Sequence, residues 1–354
     1  MALLRGRFTV LASTRTVPLK TNPRVLENLR RLLCALQDHI RDAVIASRGM
    51  HAKSFARIDA VTQADTIYHV DKISEAAILS WFARKWPRSM PVELVMEGIE
   101  DGANLTFPRG TPVQETLWKC ILDPIDGTRC IMYDKRSAWS LAGIAPQRGA
   151  KTNLRDIVVA AMTELPTTKQ SRSDQFSAVR GGKLHATACD LPGTRPRILP
   201  VRPSTARDFK HGFASFVRFF PDGRALTAQI EEQIWRELYA NETGSSPLIF
   251  DDQYISTGGQ LHELLTGRDR LVADIRPFVF KKLNLPSSLT CHPYDICTAL
   301  LLEAAGGVVE APLGGPLKTP LDTTTPVAWL GFANPHLARL ARPAIRRALR
   351  EFLG

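Results

Sequence analysis

The run CILDPIDGTRC (residues 120–130) places Asp123 and Asp126 three residues apart behind an apolar stretch, with Pro124 between them and Gly127-Thr128 after them. Two carboxylates this close repel each other unless something offsets their charge. Asp, Pro and Gly are ordinary turn residues, so one reading is a turn that ends a strand. The other is a cation site. Further acids stand at the ends of predicted elements: Glu97 closes the strand-like VELVME (92–97), and Asp295 opens the helical YDICTALLLEAAGG. Taken singly, each fits a solvated strand end or the positive end of a helix dipole, and Asp71 fits an N-cap. Taken together, carboxylates at the ends of adjacent strands converge on one sheet edge, and an oxygen-only donor set suits hard cations such as Mg²⁺. The Ile125 carbonyl adds an oxygen in the same turn. Gly127 and Thr128 can offer backbone N–H groups to a phosphate.

The elements that must position these groups follow from hydrophobic periodicity. Asn22-Pro23 reads as a cap and first helical residue, and Val25, Leu29, Leu32, Leu33, Leu36, Ile40 and Val44 recur at helical spacing to about residue 47. A second helix is predicted from near Asp71, with Ile73, Ile78, Trp81 and Phe82 inward, until Pro87. Short apolar runs at 92–97, 116–123, 137–145 and 156–165 predict strands, followed by a hairpin at Gly181-Gly182. A Pro-, Arg- and Thr-rich stretch at about 190–208 predicts a subdomain boundary. Beyond it, strands near 213–220, 247–250, 270–275, 307–310 and 327–332 alternate with helices near 224–240, 257–266, 293–305 and 335–352, an α/β pattern. The predicted organisation is a basic N-terminal extension (1–22), an α+β subdomain (23–195) with most of the acids, and an α/β subdomain (196–354) with Asp295.

Composition narrows the partners. The 354 residues carry 46 Lys and Arg against 35 Asp and Glu, a formal charge of +11, which favours anionic partners. Charge alone does not choose among phosphate esters, nucleic acid and an acidic membrane surface, but the basic residues are scattered and form no nucleic-acid-binding motif, so no nucleic-acid partner is expected. No apolar run is long enough to cross a bilayer, and no membrane partner is expected. Six cysteines with no C-x-x-C pair read as reduced thiols. The expected compartment is the cytoplasm; the alternative is organelle targeting through the basic segment before Glu27.

The residues 123–128 (DPIDGT) resemble the D-P-[IL]-D-G-T signature of the inositol monophosphatase family, in the lithium-sensitive, metal-dependent sugar phosphatase superfamily. DTIYHVDKISEAAI (65–78), LVMEG (94–98), STGGQLHELLTGRDRLVADIRP (256–277) and PYDICTALLLEAAGGVVEAPLGGPL (293–317) are similar to its other blocks, in family order. The resemblance implies a layered αβαβα sandwich of two subdomains, like inositol monophosphatase and fructose-1,6-bisphosphatase, and a homodimer. It implies two or three Mg²⁺ ions, with Glu97, Asp123 and the Ile125 carbonyl holding one and Asp123, Asp126 and Asp295 another. Gly127 and Thr128 would bind the phosphate, Asp71 and Thr128 would orient the attacking water, and Asp274 would contact the substrate.

The expected activity is hydrolysis of a small phosphorylated metabolite (an inositol phosphate, a sugar phosphate or 3′-phosphoadenosine 5′-phosphate) by metal-activated water. Two departures bear on it. Gly98 stands where many members carry a second glutamate, which leaves a third metal open, with Glu100 or Asp101 as substitutes. The segment 278–291 reads as an insertion. The alternative is a weak or inactive member that binds or regulates. Lys135 and Arg136 are the basic residues offered for a second anionic group on the substrate.

Overall fold

The computed structural model describes residues 22–50, 58–61, 66–99, 105–191, 195–240, 248–287 and 289–354, with 49–50, 58–61 and 66–73 described by their backbone alone. The N-terminal segment 1–21 and the acids Glu100 and Asp101 therefore lie outside the described residues.

The first helix, α1 (Pro23–Met50), begins where the cap predicts: Asn22 Oδ1 accepts from the Arg24 N–H at 2.9 Å. Leu29, Leu33, Leu36 and Ile40 are fully buried on one face, each contributing about 2 kcal/mol through removal from water. A small hairpin of β1 (Ile58–Val61) and β2 (Thr66–Tyr68) leads into α2 (His69–Lys85). The chain then lays down β3 (Val92–Met96), β4 (Thr106–Phe107), β5 (Trp118–Asp126), the short α3 (Thr128–Met132), β6 (Ala138–Pro146), β7 (Val159–Leu165), β8 (Arg172–Val179), β9 (His185–Asp190) and β10 (Arg197–Ile198). These strands form one eight-stranded sheet in the order β10-β9-β8-β7-β6-β5-β3-β4. Neighbours in space are mostly neighbours in sequence, so short hairpins suffice; β3 and β5 pair in parallel.

The second half comprises β11 (Gly212–Phe216), α4 (Arg224–Leu238), β12 (Ile249–Phe250), α5 (Thr257–Leu265), β13 (Asp269–Asp274), α6 (Arg276–Lys282), α7 (Pro293–Ile296), α8 (Ala299–Ala304), β14 (Val308–Glu310), β15 (Trp329–Phe332) and α9 (Pro335–Leu353). Its sheet runs β12-β11-β13-β15-β14. The helices α1 and α2 cover the outer face of the large sheet. The helices α5, α7 and α8 lie between the sheets, and α4 and α9 cover the small sheet from outside. This is the αβαβα sandwich the resemblance implies. Two hydrophobic cores fill it: one under α1 and α2, holding Trp118, Phe82 and Phe107, and a larger one from the middle layer outward, holding Trp139, Phe216 and Trp329.

Three local expectations change. The helix predicted at 293–305 is two short helices, because Cys297 and Thr298 interrupt it. The segment that reads as an insertion begins inside α6, whose first turn contains Pro277. The strand before the two aspartates also does not end at Asp123: β5 continues to Asp126 with all nine residues buried.

Candidate metal and phosphate site

In a regular strand successive side chains alternate faces, so residues three apart point to opposite sides. Asp123 and Asp126 escape this because β5 is bulged. Asp123 pairs with Leu141 and Asp126 with Trp139, so three steps on β5 match two on β6. The extra residue falls at Pro124-Ile125, where proline has no N–H to give to the ladder. The bulge brings both carboxylates to one side. Asp123 Oδ1 closes it by accepting from the Ile125 N–H at 3.0 Å, and the Thr128 hydroxyl donates to the Ile125 carbonyl at 2.8 Å.

Asp295 arrives from the middle layer, on α7. Its Oδ2 accepts from the His292 N–H at 2.5 Å, and His292 is stacked on Tyr294. Single carboxylate oxygens of Asp123, Asp126 and Asp295 all lie within 4.8 Å of one another. Glu97, one residue past β3, stands against Asp123 and lines the same cavity. That cavity, about 110 Å³, is also lined by Ile125, Gly127, Thr128, Phe219, Arg276 and His292.

The electrostatics show what the cluster lacks. Burial, then repulsion from Glu97, Asp126 and Asp295, pushes the Asp123 carboxyl well above the usual carboxylate range. Burial, then Asp126 and Glu97, does the same to Asp295. Asp126 is pushed up to about 6 by burial, against hydrogen bonds from Gly258, Ser256 and Thr257 that pull it down. Among the described residues no Lys or Arg forms a salt bridge with Asp123 or Asp126. Asp123, Asp126 and Asp295, with Glu97 beside them, make an all-oxygen donor set that fits hard divalent cations.

The residues that hold Asp126 were not assigned from sequence. Ser256, the N-cap of α5, donates its hydroxyl to Asp126 Oδ2 at 2.8 Å, and the Gly258 N–H donates to the same oxygen at 2.5 Å. The positive end of α5 thus faces Asp126. The available signal was Ser-Thr-Gly-Gly ahead of an apolar helical pattern. Gly127 has φ +88°, and a Cβ there would stand 2.9 Å from Ser256 Cβ and 3.0 Å from the Ile255 carbonyl, so the bulge and the α5 cap approach through a glycine.

Of the residues singled out from sequence, Glu97, Asp123, Ile125, Asp126, Gly127, Thr128 and Asp295 come together around one cavity. Asp71 falls in α2, with its side chain outside the described ones. Asp274, expected to contact substrate, is instead buried, with both carboxylate oxygens bonded to Arg276. Lys135 and Arg136 line a different, larger cavity of about 760 Å³, where Arg136 is bonded twice to Asp252. Gly98, where the resemblance leads one to expect a second glutamate, has φ +80°, a left-handed conformation that disfavours any residue with a Cβ.

The fold matches solved structures closely enough to compare over nearly the whole chain. The extragenic suppressor protein SuhB from Bartonella henselae superposes with a TM-score of 0.59 at 16% identity, covering 92% of this chain and 99% of that one. An inositol monophosphatase from Anabaena (Nostoc) sp. PCC 7120 gives 0.56 at 14%, covering 93% and 97%. The holo fructose-1,6-bisphosphatase of Leishmania major gives 0.61 at 15%, covering 94% and 97%. No family model and no curated protein matches the sequence itself. The chain has the inositol monophosphatase-like fold.

Proposed function

We propose that the chain is a Mg²⁺-dependent phosphomonoesterase acting on a small phosphorylated metabolite. The observation that carries this is the convergence of Asp123, Asp126 and Asp295 within 4.8 Å, with Glu97 against Asp123, beside Gly127 and Thr128. Glu97, Asp123 and the Ile125 carbonyl would hold one ion, and Asp123, Asp126 and Asp295 a second. When bound, divalent ions lower the pKa of water and neutralise charge developing on the leaving oxygen. The chain's own groups do the positioning. Gly127 and Thr128 present backbone N–H groups to the phosphate. The Thr128 hydroxyl donates to the Ile125 carbonyl, which leaves its oxygen to accept from the attacking water; Asp71 would share that task, as the resemblance implies. Phosphoryl transfer needs alignment and charge neutralisation more than a covalent intermediate, so no side-chain nucleophile is called for.

The test is phosphate release from a panel of phosphomonoesters with and without Mg²⁺. Release that needs Mg²⁺ and is lost in Asp126→Asn fits the reading; inactivity across the panel rejects it. Gly98 favours a second reading, a fold retained for binding or regulation, because a third-metal glutamate is absent there. Mg²⁺-dependent phosphonate binding without turnover would point to it.

A further inference from the structure

Arg276 lines the carboxylate cavity although it is only 6% exposed. Removing a guanidinium from water is costly unless it is paired and hydrogen-bonded. Here the pairing is complete on one edge: Nε donates to Asp274 Oδ1 at 2.9 Å, Nη2 to Oδ2 at 2.5 Å, and the Arg276 backbone N–H to Oδ1 at 3.1 Å. Nη1 donates to the Leu289 carbonyl at 2.6 Å. The Phe219 ring lies 4.6 Å from Cζ and the Phe220 ring 5.8 Å from it. A guanidinium carries five N–H donors, and these bonds use three of them. The other two have no protein acceptor among the described residues.

The two remaining donors are on Nη1 and Nη2 of a residue that lines the cavity. Arg276 and Asp295 line the same cavity. Arginine donates and never accepts, so it selects an acceptor, and its bonds to an anion are stronger than those to a neutral oxygen. The sequence had offered Lys135 and Arg136 for that task, but they border the other cavity.

We propose that Arg276 is a specificity-determining residue that reads a second anionic group, a carboxylate or another phosphate, on the leaving side of the ester, with Asp274 as its positioning residue. This rests on the phosphomonoesterase reading of the same cavity. The substrate class is then a phosphate ester whose leaving group is itself charged, rather than a neutral polyol phosphate.

The experiment compares kcat/KM for glycerol 3-phosphate, 3-phosphoglycerate and fructose 1,6-bisphosphate, in the presence of Mg²⁺. The natural protein is expected to favour one or both anionic leaving groups by at least about tenfold, chiefly through KM, and the better of the two identifies the anion. Because Arg276→Gln alone strands the buried Asp274, the main variant is Asp274→Asn with Arg276→Gln; Arg276→Lys is the conservative control. The preference is expected to fall about 10- to 100-fold in the double variant and to return partly in Arg276→Lys. A preference for the neutral leaving group, or an equal loss on all three esters, overturns the proposal. A parallel calorimetric titration with Mg²⁺ compares phosphonoacetate with methylphosphonate. If no ester is hydrolysed, the enzymatic reading fails alone, and this titration decides the role of Arg276. Tighter phosphonoacetate binding that is lost in the double variant supports it; equal binding overturns it.

Discussion

The Ser256 hydroxyl donates to Asp126 Oδ2 at 2.8 Å, a bond that joins the cap of α5 in the middle layer to the bulged end of β5 in the large sheet. It fixes which Asp126 oxygen faces the other carboxyls. Ser256→Ala is therefore expected to weaken Mg²⁺ binding about 10- to 100-fold, with phosphate release partly recovered at high Mg²⁺. The Mg²⁺ dependence of release, or a calorimetric titration, measures this. An unchanged Mg²⁺ midpoint would mean that the hydroxyl does not orient Asp126.

Asp126→Asn and Asp295→Asn each remove one carboxylate from a cluster whose members repel one another. Phosphate release should drop at least about 100-fold in both, with far-UV circular dichroism unchanged. Mg²⁺ should raise the thermal midpoint of the natural protein and raise it less in either variant, since a ligand bound only to the folded state stabilises by mass action. Equal Mg²⁺ shifts in all three proteins would argue against these residues as ligands.

Gly258 sits where the α5 cap meets the large sheet. A Cβ there would stand 2.7 Å from Leu141 Cδ2 and 2.8 Å from Trp139 Cβ, both in a packed core. Gly258→Ala should cost about 1–3 kcal/mol in urea unfolding through overpacking, and should lower activity by displacing the N–H that Asp126 accepts.

Asp269, at the start of β13, has its carboxyl pushed up to about 7 from the ordinary 3.8, first by burial and then by Glu263 and Asp252. Folding thus favours its protonated form. That contribution is intact below about pH 3.8 and is lost as pH rises through about 7. Asp269→Asn, which stays neutral, should be no more stable than the natural protein in acid and more stable at pH 8, by at most about 4 kcal/mol. Thermal midpoints of both proteins from pH 4 to 8 read the difference, which must widen with pH.

Most elements were legible in the sequence because their causes are local. The cap at Asn22, the apolar spacing from Leu29 to Ile40 and the hairpin at Gly181-Gly182 each act over a few residues and appear as predicted. The break at Cys297-Thr298 and the start of α6 were not, since core packing outweighs a continuous helical pattern.

The sequence by itself determined the chemistry available: which acids occur, that Pro124 interrupts a ladder, that Gly127 can take a left-handed backbone. Those properties belong to single residues and their neighbours. Tertiary structure alone decided which oxygens meet. The bulge turned Asp123 and Asp126 to one side, α7 carried Asp295 across from the other half of the chain, and the cap of α5 supplied donors to Asp126. It also gave Asp274 to Arg276 instead of leaving it for a substrate, and set Arg276, not Lys135 or Arg136, at the cavity wall. Apart from the Asp274–Arg276 pair, which is two residues apart, these outcomes depend on contacts between residues more than a hundred positions apart or on which way a strand face turns, and neither distance nor facing is encoded in spacing along the chain.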